Sequence, residues 1–344
     1  MTAYSFLKDH AGHAQPGHPE RPARLDAVRA AIDADPLLAG LPRLAGLPAD
    51  RGALERVHAP DYLDLVEAFC ERGGGDLDID TYATPASWRV VRQSVGNLLA
   101  LVDGVCRGEL ASGFAIARPP GHHARPMQAM GFCLLSNAAV AARHAQAARG
   151  AGRVLIVDLD VHHGNGTQEA FYDDPSVLVV SAHQADIFPG TGHLGETGAG
   201  PGEGATVNLP VPGGTGDEVV PFLRDVLAPL AARFAPDLVL CSFGADPHRL
   251  DPLGGLAMSV AGLADAVGVV QEVAEQCADG RLVVTLEGGY HPDVLAASVA
   301  ALLHRLADPT AAVADPFGPT AHPPQDLAPL AEAVRQLHGL PAGC

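Results

Sequence analysis

One α/β domain, built on a doubly wound and mostly parallel sheet with helices on both faces, is the fold this sequence predicts, and three observations carry the prediction. Short apolar strands alternate with amphipathic helices along the chain. Clusters of polar, chemistry-bearing residues each follow a strand directly, as they do where parallel strands leave a sheet and open a crevice. The third is size: 344 residues, 47% of them hydrophobic, are enough for one large core. No internal repeat or linker divides the chain, so residues 1–344 read as one domain, with a core over about 2–306 and a helical extension at 325–340.

Taken in order, residues 2–7 open as a strand, and the His-, Gly- and Pro-rich loop at 10–22 reads as too polar for the core. Leu25, Val28, Ala31 and Ile32 mark an amphipathic helix. Tyr62, Leu65, Val66 and Phe69 mark another, opening after Pro60 and Asp61. The Gly-rich loop 73–80 leads to a helix carrying Trp88, Val91, Val95, Leu98, Leu99 and Val102. A strand at 114–117 and an Ala-rich helix at 136–149 precede the central strand, 154–157. Later strands fall at 177–181, 238–241 and 282–286, with helices at 217–234 and 263–278 between them. The Pro- and Ala-dense stretch 307–324 is a loose surface passage before a last helix.

Composition narrows the function. A formal charge of -18 repels phosphate backbones and argues against direct nucleic-acid binding, while favouring cationic or neutral partners. The six cysteines (Cys70, Cys106, Cys133, Cys241, Cys277, Cys344) contain no C-x-x-C pair and read as reduced core thiols. Neither a signal peptide nor a membrane-spanning run is present, so a cytoplasmic protein without membrane contact is expected.

The central strand ends in Asp158-Leu159-Asp160-Val161-His162-His163-Gly164-Asn165-Gly166. In extended backbone Asp160 and His162 point the same way, with Asp158 a step further back on that face. They are two legs of a metal site, or caps of a helix starting near Gly166. Asp246, after the 238–241 strand, would complete a set of one imidazole and two carboxylates that leaves an open coordination position for water. Its alternative is a helix N-cap, since Pro247 follows. After the 114–117 strand come the tandem His122 and His123, held by a Pro-Pro-Gly lead-in; one can act as general base and the other can stabilise developing charge, with Asp158 as an orienting partner. After the 282–286 strand come Glu287, Gly288, Gly289 and Tyr290, whose hydroxyl is placed to donate to an oxyanion, or merely packs. His163 and His248 read as structural.

Taken together, these residues resemble the metal-dependent histone deacetylases and their bacterial relatives, the acetylpolyamine amidohydrolases and acetoin-utilisation proteins. The likeness runs from His18-Pro19-Glu20-Arg21-Pro22 to about Leu306 and includes Gly131-Phe132-Cys133 and Phe188-Pro189-Gly190-Thr191-Gly192. It implies an arginase-like α/β fold, zinc (or iron(II)) on Asp160, His162 and Asp246, His123 as general base and acid, His122 as its electrostatic partner, and Tyr290 polarising the carbonyl. It also implies tunnel walls at Phe132 and Phe188, Gly131 and Gly289 beside the scissile amide, and Leu253 at the rim. Asp80 would hold the substrate backbone, and Arg24 would lie near an acetate exit. A structural potassium ion is implied near Asp158, Asp160, His162, Ser181 and Ala182. Asn165 stands where one branch has aspartate, and Glu287 where that branch has glycine, so the chain looks closer to the class II and bacterial branch. The resemblance implies acyl-lysine in peptides or proteins as substrate, with small acylated amines as the alternative and a non-catalytic acyl-lysine reader far behind. An oligomer is compatible with the sequence.

Overall fold

A computed structural model describes residues 1–318 and 323–341. Eight strands form one sheet in the order β2-β1-β5-β10-β9-β6-β7-β8. These are β1 (Thr2–Phe6), β2 (Arg43–Leu44), β5 (Ser112–Ile116), β6 (Val154–Asp158), β7 (Val177–Gln184), β8 (Thr206–Val211), β9 (Leu238–Phe243) and β10 (Leu282–Leu286). Every neighbouring pair in this sheet is parallel. A separate antiparallel hairpin joins β3 (Gly75–Asp76), inside the Gly-rich loop read at 73–80, to β4 (Tyr82–Ala83) just beyond it.

The helices are α1 (Ala23–Ala34), α2 (Pro36–Ala39), α3 (Arg51–Leu54), α4 (Pro60–Glu71), α5 (Ser87–Cys106), α6 (Asn137–Arg149), α7 (Asn165–Phe171), α8 (Val219–Phe234), α9 (Val260–Cys277), α10 (Pro292–Ala307) and α11 (Ala328–His338). Helices α5 and α6 pack together on one face, whereas α1, α10, α9 and α8 pack in series on the other. Strand β6 shows why both faces are covered: Leu155 and Val157 enter one core, Val154 and Ile156 the other, and all four are fully buried.

Register places the chemistry. Asp158 at the end of β6 lies opposite Ser242 of β9 and Ser181 of β7, and Leu286 of β10 lies opposite Phe243 of β9. Thr285 lies opposite Ala115 of β5. The loops after β5, β6, β9 and β10 therefore leave the sheet side by side.

Three expectations need correction. Helix α4 buries Tyr62, Leu63, Val66 and Cys70, so its inner face is rotated from the expected stripe, and Leu65 is exposed. Strand β8 and helix α10 add elements where none was expected. The loop at 10–22 is not all surface: His10, His13 and Glu20 are buried. For Glu20 the reason is that its charge is met by arginines. Arg118 donates to both Glu20 oxygens, from Nε at 2.6 Å and Nη2 at 2.9 Å, and Arg24 Nη1 donates at 3.1 Å. Burial by itself raises the Glu20 pKa, but Arg118, His13 and Arg24 outweigh it and hold the carboxyl well below the usual range.

Cys70, Cys133 and Cys241 are buried, Cys106 and Cys277 half-buried, and all five are free; Cys344 and residues 319–322 of the 307–324 passage lie outside the described residues. No helix among the described residues is long and apolar enough to cross a membrane.

Candidate active site

Asp160, His162 and Asp246 converge: one ligand atom from each falls within 4.8 Å of the others. Asp160 accepts from the His162 backbone N–H at 2.9 Å and from Gly288 N–H at 2.8 Å, and Asp246 accepts from Val161 N–H at 3.1 Å. Neither carboxylate caps a helix; the N-cap of α7 is Gly164. His162 turns Nδ1 towards both, 3.0 Å from Asp160 Oδ1 and 3.4 Å from Asp246 Oδ2.

The site has the character of a cation cradle. Asp246 Oδ2 is buried and makes no hydrogen bond, with His162 Nδ1 3.4 Å away; a cation shared by the two carboxylates offsets the cost of burying them together. A Cβ added at Gly244 or Gly288 would run into the Asp160 and Asp246 carboxylates, so this space exists only because both positions are glycine. Burial disfavours a charged His162, yet the two carboxylates overcome it and push its pKa up to about 10. Burial and the nearby Asp160 charge push Asp246 up to about 7. One imidazole and two carboxylates suit a divalent ion with open positions.

The tandem histidines stand beside this set with unequal partners. His122 Nδ1 lies 3.0 Å from Asp158 Oδ2, and His123 Nδ1 lies 2.7 Å from Asn165 Oδ1. Burial would keep His122 neutral, but Asp160 and Asp158 raise its pKa to about 10. His123 goes the other way: burial and the neighbouring His122 and His162 lower it well below the ordinary imidazole value. The backbone of the pair is fixed by Glu287, whose Oε2 accepts from Gly121 N–H at 2.5 Å and His122 N–H at 3.1 Å.

Tyr290 is 8% exposed and follows Gly289 at φ +111°, a conformation that favours glycine. Arg24 donates to the carbonyls of Gly289 (2.7 Å) and Glu287 (2.6 Å), and its guanidinium lies 4.8 Å from the Tyr290 ring centre. Burial raises the Tyr290 pKa well above its ordinary value despite Arg24, so the phenol keeps its proton. Phe132 meets Tyr290 edge-on at 5.5 Å, and Phe188 meets His123 edge-on at 5.1 Å. Gly131 N–H donates to Asp80 Oδ1 at 3.2 Å. Leu253 is 37% exposed. Ser181 stands beside Asp158 across β6 and β7, and Ala182 is the next residue of β7.

Residues for which no role in the site was expected are Glu287, read as part of the 287–290 cluster and as a branch marker, the Glu20–Arg118 pair, and Asp251. A charged residue ending an otherwise apolar strand was the available signal for Glu287.

Comparison with known proteins decides the family. A model of the histone deacetylase domain matches residues 18–306. The chain belongs to the histone deacetylase family. It is 39% identical over 350 residues to "Histone deacetylase 10, chloroplastic" of Oryza sativa subsp. japonica, spanning 96% of this chain and 79% of that protein. It is 37% identical over 304 residues to the "Histone deacetylase-like amidohydrolase" of Pseudomonas aeruginosa, spanning 88% and 80%. A crystal structure of the HDA15 HD domain superposes with a TM-score of 0.87 at 36% identity, covering 98% of this chain and 95% of that one. The fold is thus that of the deacetylases, and the protein is a hydrolytic deacetylase of a metal-dependent family, with Asp160, His162 and Asp246 as its candidate metal site.

Proposed function

We propose that the protein removes an acetyl or related acyl group from the side-chain amine of acyl-lysine in peptides or proteins. The observation that carries the reading is the convergence of Asp160, His162 and Asp246, with His123 meeting His162 edge-on at 5.8 Å and Tyr290 two residues beyond Gly288, whose N–H donates to Asp160. Asp160, His162 and Asp246 would hold zinc, or iron(II), which when bound supplies polarisation of the acyl carbonyl and acidifies water. His123 takes the proton of the attacking water as the new C–O bond forms. His122, kept charged by Asp158 and Asp160, offsets the negative charge that develops beside it. The Tyr290 hydroxyl donates to the carbonyl oxygen as it becomes an oxyanion. His123 then returns its proton to the amine as the C–N bond breaks, leaving carboxylate and free amine.

Phe132 and Phe188 line the passage for the lysine stem, with Gly131 and Gly289 at the amide, Arg24 behind Tyr290 and Asp80 at the mouth. Asn165 orients His123. A potassium ion held by Asp158, Asp160, His162, Ser181 and Ala182 is the structural ion we assign. The free thiols support a reducing compartment such as the cytoplasm.

Substrate choice rests on Leu253, an apolar residue at a rim where a polyamine's second ammonium calls for a carboxylate. The charge of -18 favours cationic peptides. Acetate release from acetyl-lysine peptides, N-acetylspermidine and N-acetylputrescine tests this. The highest kcat/KM should fall on a peptide; a value for acetylspermidine well above every peptide would overturn the assignment.

A further inference from the structure

Asp251 lies between Asp246 and Leu253, is 6% exposed, and gives both carboxylate oxygens to backbone N–H groups. Its Oδ2 accepts from Tyr290 at 2.6 Å and His291 at 3.1 Å, and its Oδ1 accepts from Leu253 at 3.0 Å. Among the described residues no lysine, arginine or histidine pairs with it, so these amides are its partners.

The turn it holds needs an external hold. Tyr290 follows Gly288 and Gly289, and two glycines give a backbone little stiffness of its own. Arg24 grips the carbonyls of Glu287 and Gly289, while Asp251 grips the amides of Tyr290 and His291. Two buried side chains of opposite charge thus clamp the turn on both kinds of backbone group. Its far end enters α10, with Pro292 in the first turn.

We infer that Asp251 is a positioning residue for the Tyr290 hydroxyl. The inference rests on the reading of Tyr290 as oxyanion donor. A phenol serves only where it meets the oxygen in the transition state, and displacement of about 1 Å costs up to about 10²-fold in rate. Loss of Asp251 therefore lowers kcat and leaves substrate binding and bound metal alone.

The experiment uses the full chain and the substrate that wild type hydrolyses fastest. Asp251→Ala removes the acceptor from all three amides, and its kcat should fall roughly 10²-fold with KM and metal content unchanged. Asp251→Asn should lose less, because its one oxygen can stay on Tyr290 and His291 if its NH2 faces Leu253. In a Tyr290→Phe background, Asp251→Ala should slow turnover by no more than about twofold further, since the hydroxyl it positions is already gone. Losses that multiply in the double variant, a kcat for folded Asp251→Ala near wild type, or failure of both Asp251 variants to fold would overturn the inference and make Asp251 a structural anchor. If Tyr290→Phe alone keeps its turnover, the reading of the tyrosine has failed instead.

Discussion

His123 meets an amide where its neighbour meets a carboxylate: His123 Nδ1 lies 2.7 Å from Asn165 Oδ1. An amide orients the ring without adding negative charge, so burial and the nearby imidazoles keep His123 neutral. Asn165→Asp adds that charge and raises the His123 pKa. A general base works only while neutral, so the acidic limb of the kcat/KM profile should move to higher pH. Profiles of the two proteins measured side by side check this; coincident acidic limbs would show that His123 is not the base.

Tyr290→Phe removes one hydroxyl whose bond strengthens as the carbonyl becomes an oxyanion. Turnover should fall by roughly 10²-fold or more with little change in KM. His123→Ala should be at least as severe. Intact turnover in Tyr290→Phe would reduce the tyrosine to packing against Phe132.

The buried Glu20 predicts an acid-sensitive contribution to stability. Its folded-state pKa lies below that of a free glutamate, about 4.3, so its stabilisation is complete above that value and is lost as pH falls through the folded-state pKa. Glu20→Gln leaves Arg118 buried without its counter-charge and should cost about 3 kcal/mol at pH 7. Denaturant unfolding of both proteins at neutral pH and below pH 4 should show the gap narrowing in acid. A gap that widens in acid would contradict the sign.

Much of the site was legible because strand ends announce it. Asp158, Asp160 and His162 follow four apolar residues, and Asp246 and Tyr290 follow strands of the same kind. Period-two alternation and the parallel register did the rest. What the sequence hid were partners far apart along it. Glu20 reads as loop until Arg118, 98 positions away, is seen against it. Asp251 reads as a turn residue until the Tyr290 amide, 39 positions on, is found on its oxygen. Strand β8 ends in Pro210 and Val211 at the sheet edge, where pairing on one side alone tolerates a proline that argues against a central strand.

On the proposed placement of Leu253 at the rim, Leu253→Glu puts a carboxylate there. An exposed ion pair contributes up to about 1 kcal/mol, so the ratio of kcat/KM for N-acetylspermidine to that for an acetyl-lysine peptide should rise about fivefold. Raised salt should shrink the gain. A ratio unchanged at low salt would place Leu253 away from the path of the second ammonium.

That Asp160, His162 and Asp246 hold the ion on which deacetylation depends is tested most directly by metal bound per chain in Asp246→Ala, with acetate release from the same preparation. Wild type should carry a divalent ion stoichiometrically, and the variant should have lost both the ion and turnover. Full retention of metal together with full activity in Asp246→Ala would contradict the assignment.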